Sequence, residues 1–150
     1  MNEFVKRKSH YKLFISKWEI TIILEAGYRE LYENEDCKKY IKVYEDLYFS
    51  TAFLPYPNSI LLTDEEIESI CKGLSMVGNL IMDKVHHKPC LIQLQSIQFL
   101  DCNIQQEALI VSAIKWASEI FDFPMPMIKV TFNDTVKPCG KYVFDFSNMM

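Results

Sequence analysis

The sequence of 150 residues contains few of the residues from which catalytic and metal sites are built. It has three histidines and four glycines, and it contains no G-x-S-x-G, no glycine-rich phosphate loop and no H-E-x-x-H. His86, His87 and Cys90 lie close together in the sequence, but zinc needs a fourth ligand and their spacing matches no standard zinc site. We therefore expect no catalytic residue, no metal and no cofactor.

Long apolar runs and paired cysteine motifs are also missing. No stretch approaches the roughly 20 apolar residues that a membrane-spanning helix needs. The apolar stretch near the N-terminus is broken by Lys12, Ser16 and Lys17 and has no small-residue cleavage site, so we expect no secretory signal. The five cysteines are widely spaced without a C-x-x-C, which is typical of reduced thiols. These absences predict a cytoplasmic protein that makes no membrane contact.

Glycine and proline are too scarce for a low-complexity linker, with four and six residues respectively. Hydrophobic residues make up 49% of the chain and aromatic residues 13%, which is typical of a globular protein. A chain of this length can bury roughly two thirds of its unfolded surface in one core. We expect a single domain over residues 1–150, with residues 1–10 as a candidate flexible segment.

Of three successive parts of the chain, only the N-terminal one has a net positive charge. Residues 1–17 carry five Lys/Arg against one Glu, whereas residues 18–72 hold twelve acids and five bases, and residues 73–150 hold seven acids and six bases. The basic run at Lys6, Arg7 and Lys8 could contact phosphates, but three charges without a positive remainder give only weak, salt-sensitive binding. We therefore expect no direct binding of nucleic acid.

The stretch YRELYENED, from Tyr28 to Asp36, combines acids with aromatic residues around the single cation Arg29. Such a surface can pair with Arg and Lys of a basic protein partner, speed the encounter electrostatically and supply a few buried anchors. The alternative is a solvated loop, because runs of charge are usually only solvated. Further acids lie at a predicted turn and at a predicted helix start. The residues predicted to bind a partner are Tyr28, Glu30, Tyr32, Glu33, Glu35, Asp36, Glu45, Asp46, Asp64, Glu65 and Glu68.

Two helices are predicted from their caps and from apolar residues at helical spacing. The sequence TDEE from Thr63 is a capping box, so a helix begins here and ends near Gly78 or continues to Val85. The acids in its first turn also interact favourably with the helix dipole, which is a structural explanation for their presence. Asn103 caps the second helix, NIQQEALIVSAIKWASEIF, whose inward stripe includes Trp116.

Alternating large and polar residues predict the strands. The predicted strands are Trp18 to Glu25, Tyr40 to Glu45, Leu47 to Leu54, Cys90 to Phe99, Met127 to Phe132 and Lys141 to Phe146. The first strand is closed by Gly27, and the fourth is expected to have one wet face. The second and third strands form one hairpin and the last two form another. This order predicts an α+β fold, a mainly antiparallel sheet with two principal helices packed against it.

Four segments, WEITIILEAG, PYPNSILLTDEEI, CNIQQEALIVSAIKWASEIF and KYVFDF, carry a resemblance that covers most of the chain. In a compact acidic chain without catalytic motifs, they resemble small immunity proteins of bacterial polymorphic-toxin systems, including those paired with contact-dependent growth inhibition toxins. Immunity proteins have many unrelated folds and share no active site, so no catalytic residue is carried over.

The resemblance implies a function by binding, in which the protein covers the active site or substrate surface of a cognate protein toxin in its own cytoplasm. Many such toxins are basic nucleases, some of which cut transfer RNA, and an acidic inhibitor would imitate phosphate charge. Tyr48 and Tyr56 are further candidate anchors. The alternative is a small regulatory or adaptor module that binds another bacterial or phage protein. A third reading is an enzyme that uses Cys102 or the histidines.

Overall fold

The computed structural model describes residues 4–15, 18–51, 62–99, 105–137 and 140–149. The strands are β1 (Val5–Leu13), β2 (Ile20–Glu30), β3 (Ile41–Tyr44), β4 (Leu47–Ser50), β5 (Cys90–Gln98), β6 (Lys129–Asn133) and β7 (Lys141–Asp145). The helices are α1 (Asp64–Met76), α2 (Gly78–Lys84) and α3 (Gln106–Ile120). None of the helices in these ranges is long and apolar enough to cross a membrane.

Five strands form one mixed sheet in the order β1-β2-β5-β4-β3. Its pairs are antiparallel except for β4 and β5, which run parallel. The strands β6 and β7 form a separate antiparallel hairpin, and α1 and α3 pack on each other and on the larger sheet. The α+β prediction with a mainly antiparallel sheet is confirmed, and so are both predicted hairpins.

The core lies between the large sheet and α3. Trp116 of α3 is only 1% exposed, and its indole Nε1 donates to the carbonyl oxygens of Arg7 at 3.1 Å and Ala26 at 3.3 Å. A buried indole N–H needs such an acceptor, so this side chain joins α3 to β1 and β2. The predicted inward position of Trp116 is confirmed. Ser112 of the same helix is buried as well, because α3 also packs against α1.

The capping box at Thr63 is confirmed. Its hydroxyl accepts from the backbone N–H of Glu66 at 3.2 Å, and its own N–H donates to Glu66 Oε1 at 2.8 Å. The helical stretch is split at Val77, so that α1 stops just before Gly78 and α2 continues almost to Val85. A methyl group on Gly78 would come within 2.8 Å of the Tyr44 Cβ, and the glycine therefore permits this close approach to β3.

The N-terminal segment corrects the prediction most clearly. Residues 5–10, a candidate flexible segment in the sequence, lie in β1 and pair with β2 along their whole length. Ser9, Tyr11 and Leu13 turn towards the core side, whereas the residues between them are exposed. Residues at every second position of this strand share one face of the sheet. The lysines at the other positions made the segment resemble a solvated charge run.

Three further boundaries differ from prediction. Strand β2 runs through Gly27 to Glu30, since Gly27 packs directly against β1. Helix α3 begins at Gln106, and the predicted cap Asn103 lies outside the described residues. The expected wet face of β5 was wrong: Gln93 is only 7% exposed, because β5 is a central strand with side chains packed over both of its faces.

We expect Trp116→Ala to lower the free energy of unfolding by about 3 kcal/mol or more, because it leaves a cavity and removes transfer energy. Chemical denaturation at neutral pH measures the change. Trp116→Phe is the matched variant, since it keeps an aromatic ring but removes the indole donor, and it should cost less than alanine. An unchanged denaturation midpoint for the alanine variant would show that α3 is not packed as described.

Candidate functional site

The acidic segment Tyr28 to Asp36 begins inside the sheet and not in a loop. Tyr28 and Glu30 belong to β2. The Tyr28 ring lies 4.5 Å from the ring of Phe121, centroid to centroid, and packs against the core. This burial raises the pKa of Tyr28. Tyr28 therefore packs against the core with part of its side chain exposed, and its role as an anchor for a partner stays a prediction.

Glu35 is a hydrogen-bond centre inside the fold. The guanidinium of Arg29 binds both of its carboxylate oxygens, at 2.8 and 2.6 Å. The backbone N–H of Tyr32 donates to Oε1 at 3.0 Å, and the hydroxyl of Tyr40 donates to Oε2 at 2.6 Å. The side chains of Arg29 and Glu35 are only 10% and 9% exposed. Glu35 thus binds the chain itself and is not available to a partner, contrary to its prediction.

The electrostatics of this pair follow from its geometry. Hydrogen bonds from Arg29 lower the pKa of Glu35 to about 2, from an ordinary value of 4.5. Burial, together with the hydrogen bond to Glu35, raises the pKa of Tyr40 to about 12. The rings of Phe4 and Tyr32 lie over the guanidinium, with centroids 5.4 and 4.6 Å from the Arg29 Cζ. The pair therefore stays ionised and holds residues 31–40 against the sheet.

The remaining acids of the segment face solvent. Glu33 and Asp36 are exposed, and Tyr32 is 50% exposed beside them. Asp36 Oδ1 accepts from the backbone N–H of Lys38 at 2.9 Å, so the turn itself orients this carboxylate. We name Tyr32, Glu33 and Asp36 the segment surface. Together with Asn34, they are the exposed residues of YRELYENED beyond the end of β2.

The predicted acids Glu45 and Asp46 lie at the same end of the sheet as Glu30. Glu30 is in register with Cys90 of β5, and Cys90 is in register with Leu47 of β4. At the usual strand spacing, Glu30 and Leu47 are roughly 10 Å apart, and Asp46 directly precedes Leu47. Its carbonyl accepts from the Cys90 N–H at 2.9 Å. An open cleft of about 380 Å³ here is lined by Tyr44, Glu45, Asp46, Asn79, Met82 and His87.

The acids at the start of α1 lie elsewhere. Gly78, just beyond the other end of α1, packs against Tyr44 beside the Glu45–Asp46 turn. Helix α1 has 13 residues, which places its first turn roughly 20 Å away. Glu65 and Glu68 line a groove between α1 and α3 instead. The structure therefore divides the predicted partner-binding acids between two surfaces, with Asp64, Glu65 and Glu68 on the second.

Cations and apolar residues next to the segment surface were missed in the sequence analysis. Lys38, Lys39 and Lys42 are exposed, so residues 28–46 carry six acids and four bases, a net charge of −2. Ile41 and Tyr44 are also exposed. Lys42, Ile41 and Tyr44 belong to the short edge strand β3. The hairpin prediction identified this strand but did not say which of its side chains are exposed. The surface therefore carries charges of both signs beside exposed apolar side chains.

The thiols and histidines form no reactive arrangement in the described part of the chain. Burial raises the pKa of the Cys71 and Cys90 thiols to about 12, which keeps them protonated and unreactive at neutral pH. His86 and His87 are exposed at the end of α2. No group of three or more possible metal ligands occurs among the described residues. The thiol considered in the third reading, Cys102, lies outside these ranges, as does Tyr56.

No protein-family model, curated protein or solved structure matches this chain.

We expect Glu35→Gln to lower the free energy of unfolding by about 2–3 kcal/mol, because it leaves the nearly buried Arg29 cation without its counter-charge. The pKa of Glu35 is depressed on folding, so the stabilisation is complete above pH 4.5 and is lost as the pH falls towards about 2. Denaturation of the wild-type protein between pH 2 and pH 7 should show this acid-dependent loss. In Glu35→Gln the loss should be smaller.

Glu33→Gln is the matched control, because it neutralises an exposed acid two residues away. It should change the stability by less than about 0.5 kcal/mol. If the two variants were equally stable at neutral pH, the role of Glu35 as a hydrogen-bond centre would be refuted.

Proposed function

We propose that this protein is an immunity protein, which binds a cognate toxin and neutralises it by covering its active site or substrate surface. The observation that carries the proposal is the internal Arg29–Glu35 pair, which holds residues 31–40 while Tyr32, Glu33 and Asp36 remain exposed. The function lies in this presented surface and uses no catalytic group. The protein acts in the cytoplasm of the cell that also encodes the toxin.

A rigid segment favours tight binding. Ordering a loop on association costs about 0.5–1.5 kcal/mol for each immobilised flexible side chain, and a segment that is already held avoids part of this cost. Exposed Tyr32, Tyr44 and Ile41 supply the aromatic and aliphatic groups that act as anchors in protein interfaces. Because they lie among carboxylates, these anchors suit a partner surface that combines apolar contacts with Arg or Lys.

The charge pattern favours a basic partner. Glu33 and Asp36 on the segment surface, and Glu30, Glu45 and Asp46 at the sheet end, are all exposed. Carboxylates in this arrangement increase the association rate with a cationic cleft and imitate the charge of a phosphate backbone. A basic nuclease domain, such as one that cuts transfer RNA, is the class of toxin that presents such a cleft.

An adaptor function is the second candidate, and an apolar cleft favours it. Met76, Leu80, Pro126, Phe146 and Met149 line an open cleft of about 490 Å³ away from the segment surface. Methionine-rich surfaces adapt to partners of different shape. An adaptor in a larger bacterial or phage assembly would use this cleft, whereas an inhibitor of a nuclease would depend on the acids.

We expect the double reversal Glu33→Lys and Asp36→Lys to slow association with the toxin domain encoded by the neighbouring reading frame. The decrease should be about tenfold at low salt and smaller at high salt, because exposed charges act mainly on the encounter. The melting temperature should change little, since neither side chain is buried and only the turn hydrogen bond from the Lys38 N–H to Asp36 is removed. Surface plasmon resonance at two salt concentrations and protection of toxin-expressing cells provide the readouts.

The matched control is Glu65→Lys with Glu68→Lys, which makes the same charge change on the α1 surface. A loss of association in the control alone would move the binding face to α1 and α3. Equal association rates for both variants and the wild type at low salt would rule out both acidic surfaces. A neighbouring gene without toxin activity, combined with binding through the methionine-lined cleft, would support the adaptor.

A further inference from the structure

Strand β1 forms one edge of the five-stranded sheet, and its outer side pairs with no strand in the part of the chain that the structure describes. It has nine residues and pairs with β2 along its whole length. An edge strand presents backbone N–H and C=O groups that can pair with another extended chain. A strand of a partner can therefore add to the sheet at such an edge.

The indole of Trp116 shows which backbone groups of β1 point outwards. Its Nε1 lies 3.1 Å from the carbonyl oxygen of Arg7 and 3.3 Å from that of Ala26, the residue paired with Arg7 in β2. One nitrogen reaches both oxygens only if both carbonyls point into the gap between the strands. Residue pairs in an antiparallel ladder alternate in this respect, so the neighbours of Arg7 direct their backbone groups away from β2. The residues with outward backbone groups are Lys6, Lys8, His10 and Lys12.

Contacts within the chain already use part of this edge. The ammonium of Lys115 donates to the carbonyl oxygen of His10 at 2.6 Å, which agrees with the outward direction of that carbonyl. The Lys12 ammonium lies 3.5 Å from a carboxylate oxygen of Glu19. The section of the edge that remains for a partner is the one around Lys6 and Lys8, where both residues are exposed.

The side chains along the β1 edge are mainly cationic. Ser9, Tyr11 and Leu13 turn towards the core side, so the residues with outward backbone groups project from the opposite face of the sheet, about 6.6 Å apart. All four of these residues are exposed, and three of them are lysines. Glu25 of β2 lies opposite Lys8 and is only half-buried, so one carboxylate flanks the row on its inner side.

These charges distinguish between a second copy of the chain and another protein. The same residues have outward backbone groups in every copy, so pairing of two β1 edges would place the lysines of one copy beside those of the other. Like charges directly opposite each other destabilise a pair of strands, and edge lysines hinder self-pairing in this way. An extended segment with carboxylates at every second position would instead place an acid opposite each lysine.

We propose that the β1 edge binds an extended acidic segment of another protein by β-strand addition. Backbone hydrogen bonds to Lys6 and Lys8 hold the segment, and its alternate carboxylates contact the two ammonium groups. This partner is opposite in charge to a basic toxin, so the site goes beyond the proposed inhibition and does not depend on it.

The test is nuclear magnetic resonance of the isolated, isotope-labelled full chain with a capped peptide that alternates threonine and glutamate over about nine residues. We expect saturable binding with a dissociation constant of about 1 mM at low salt. At saturation, hydrogen exchange of the Lys6 and Lys8 backbone N–H groups should slow by at least about fivefold, because both become hydrogen-bonded. The Arg7 N–H, which points towards β2, should change less. Unchanged exchange at Lys6 and Lys8 would overturn the proposal, because charge attraction alone does not protect a backbone N–H.

Two N-methylated peptides separate strand addition from charge attraction. Methylation of the glutamate nitrogens removes the donors that face β1, whereas methylation of the threonine nitrogens removes those on the outer side. The first change should weaken binding at least about fivefold more than the second. Equal weakening would overturn strand addition. Equally tight binding of single-stranded oligothymidylate would show a phosphate site instead, and self-association of the protein without peptide would show a second copy at this edge.

Lys8→Thr and Lys129→Thr form the matched pair of variants, since both replace an exposed strand lysine and only Lys8 lies on the β1 edge. Threonine is well suited to a strand, so both variants should fold. The acidic peptide should bind about threefold more weakly to Lys8→Thr and equally well to Lys129→Thr. Equal affinity of the two variants would overturn the assignment of this edge to an acidic partner.

Discussion

The pair of Arg29 and Glu35 is the interaction on which the surface of this protein depends. Two opposite charges with side chains about one tenth exposed are stable only if most of their hydrogen-bonding groups are satisfied. Tyr40 and the backbone of Tyr32 provide the additional bonds to Glu35, which tie both ends of residues 31–40 to β2. Because these hydrogen bonds are needed, the charged segment of residues 31–40 is an ordered part of the fold.

The same requirement sorts the acids of the segment by role. Glu35 satisfies Arg29 and is removed from the surface, whereas Glu33 and Asp36 remain in solvent next to Tyr32. One ion pair thus orders the segment and fixes which of its acids are exposed.

Much of the fold was predictable where the signal is local. The capping box at Thr63, the hairpins and the buried position of Trp116 each follow from residues within a few positions of one another, and each was confirmed. Strand β1 was not predicted because its lysines resemble a solvated charge run. They belong to an edge strand only through its pairing with β2. The polar side chain of Gln93 was assigned to solvent because its covering residues come from distant parts of the chain.

The sequence by itself determined the class of fold, the cap at Thr63 and the presence of excess acid in the first half of the chain, since these depend on periodicity, composition and neighbouring residues. Only the tertiary structure decided which acids are exposed together. Glu30, Glu45 and Asp46 lie at one end of the sheet because β2, β5 and β4 align in register, and Asp64, Glu65 and Glu68 are separated from them by the length of α1. Charge is a property of the residue, but its availability depends on contacts between segments that are far apart in sequence.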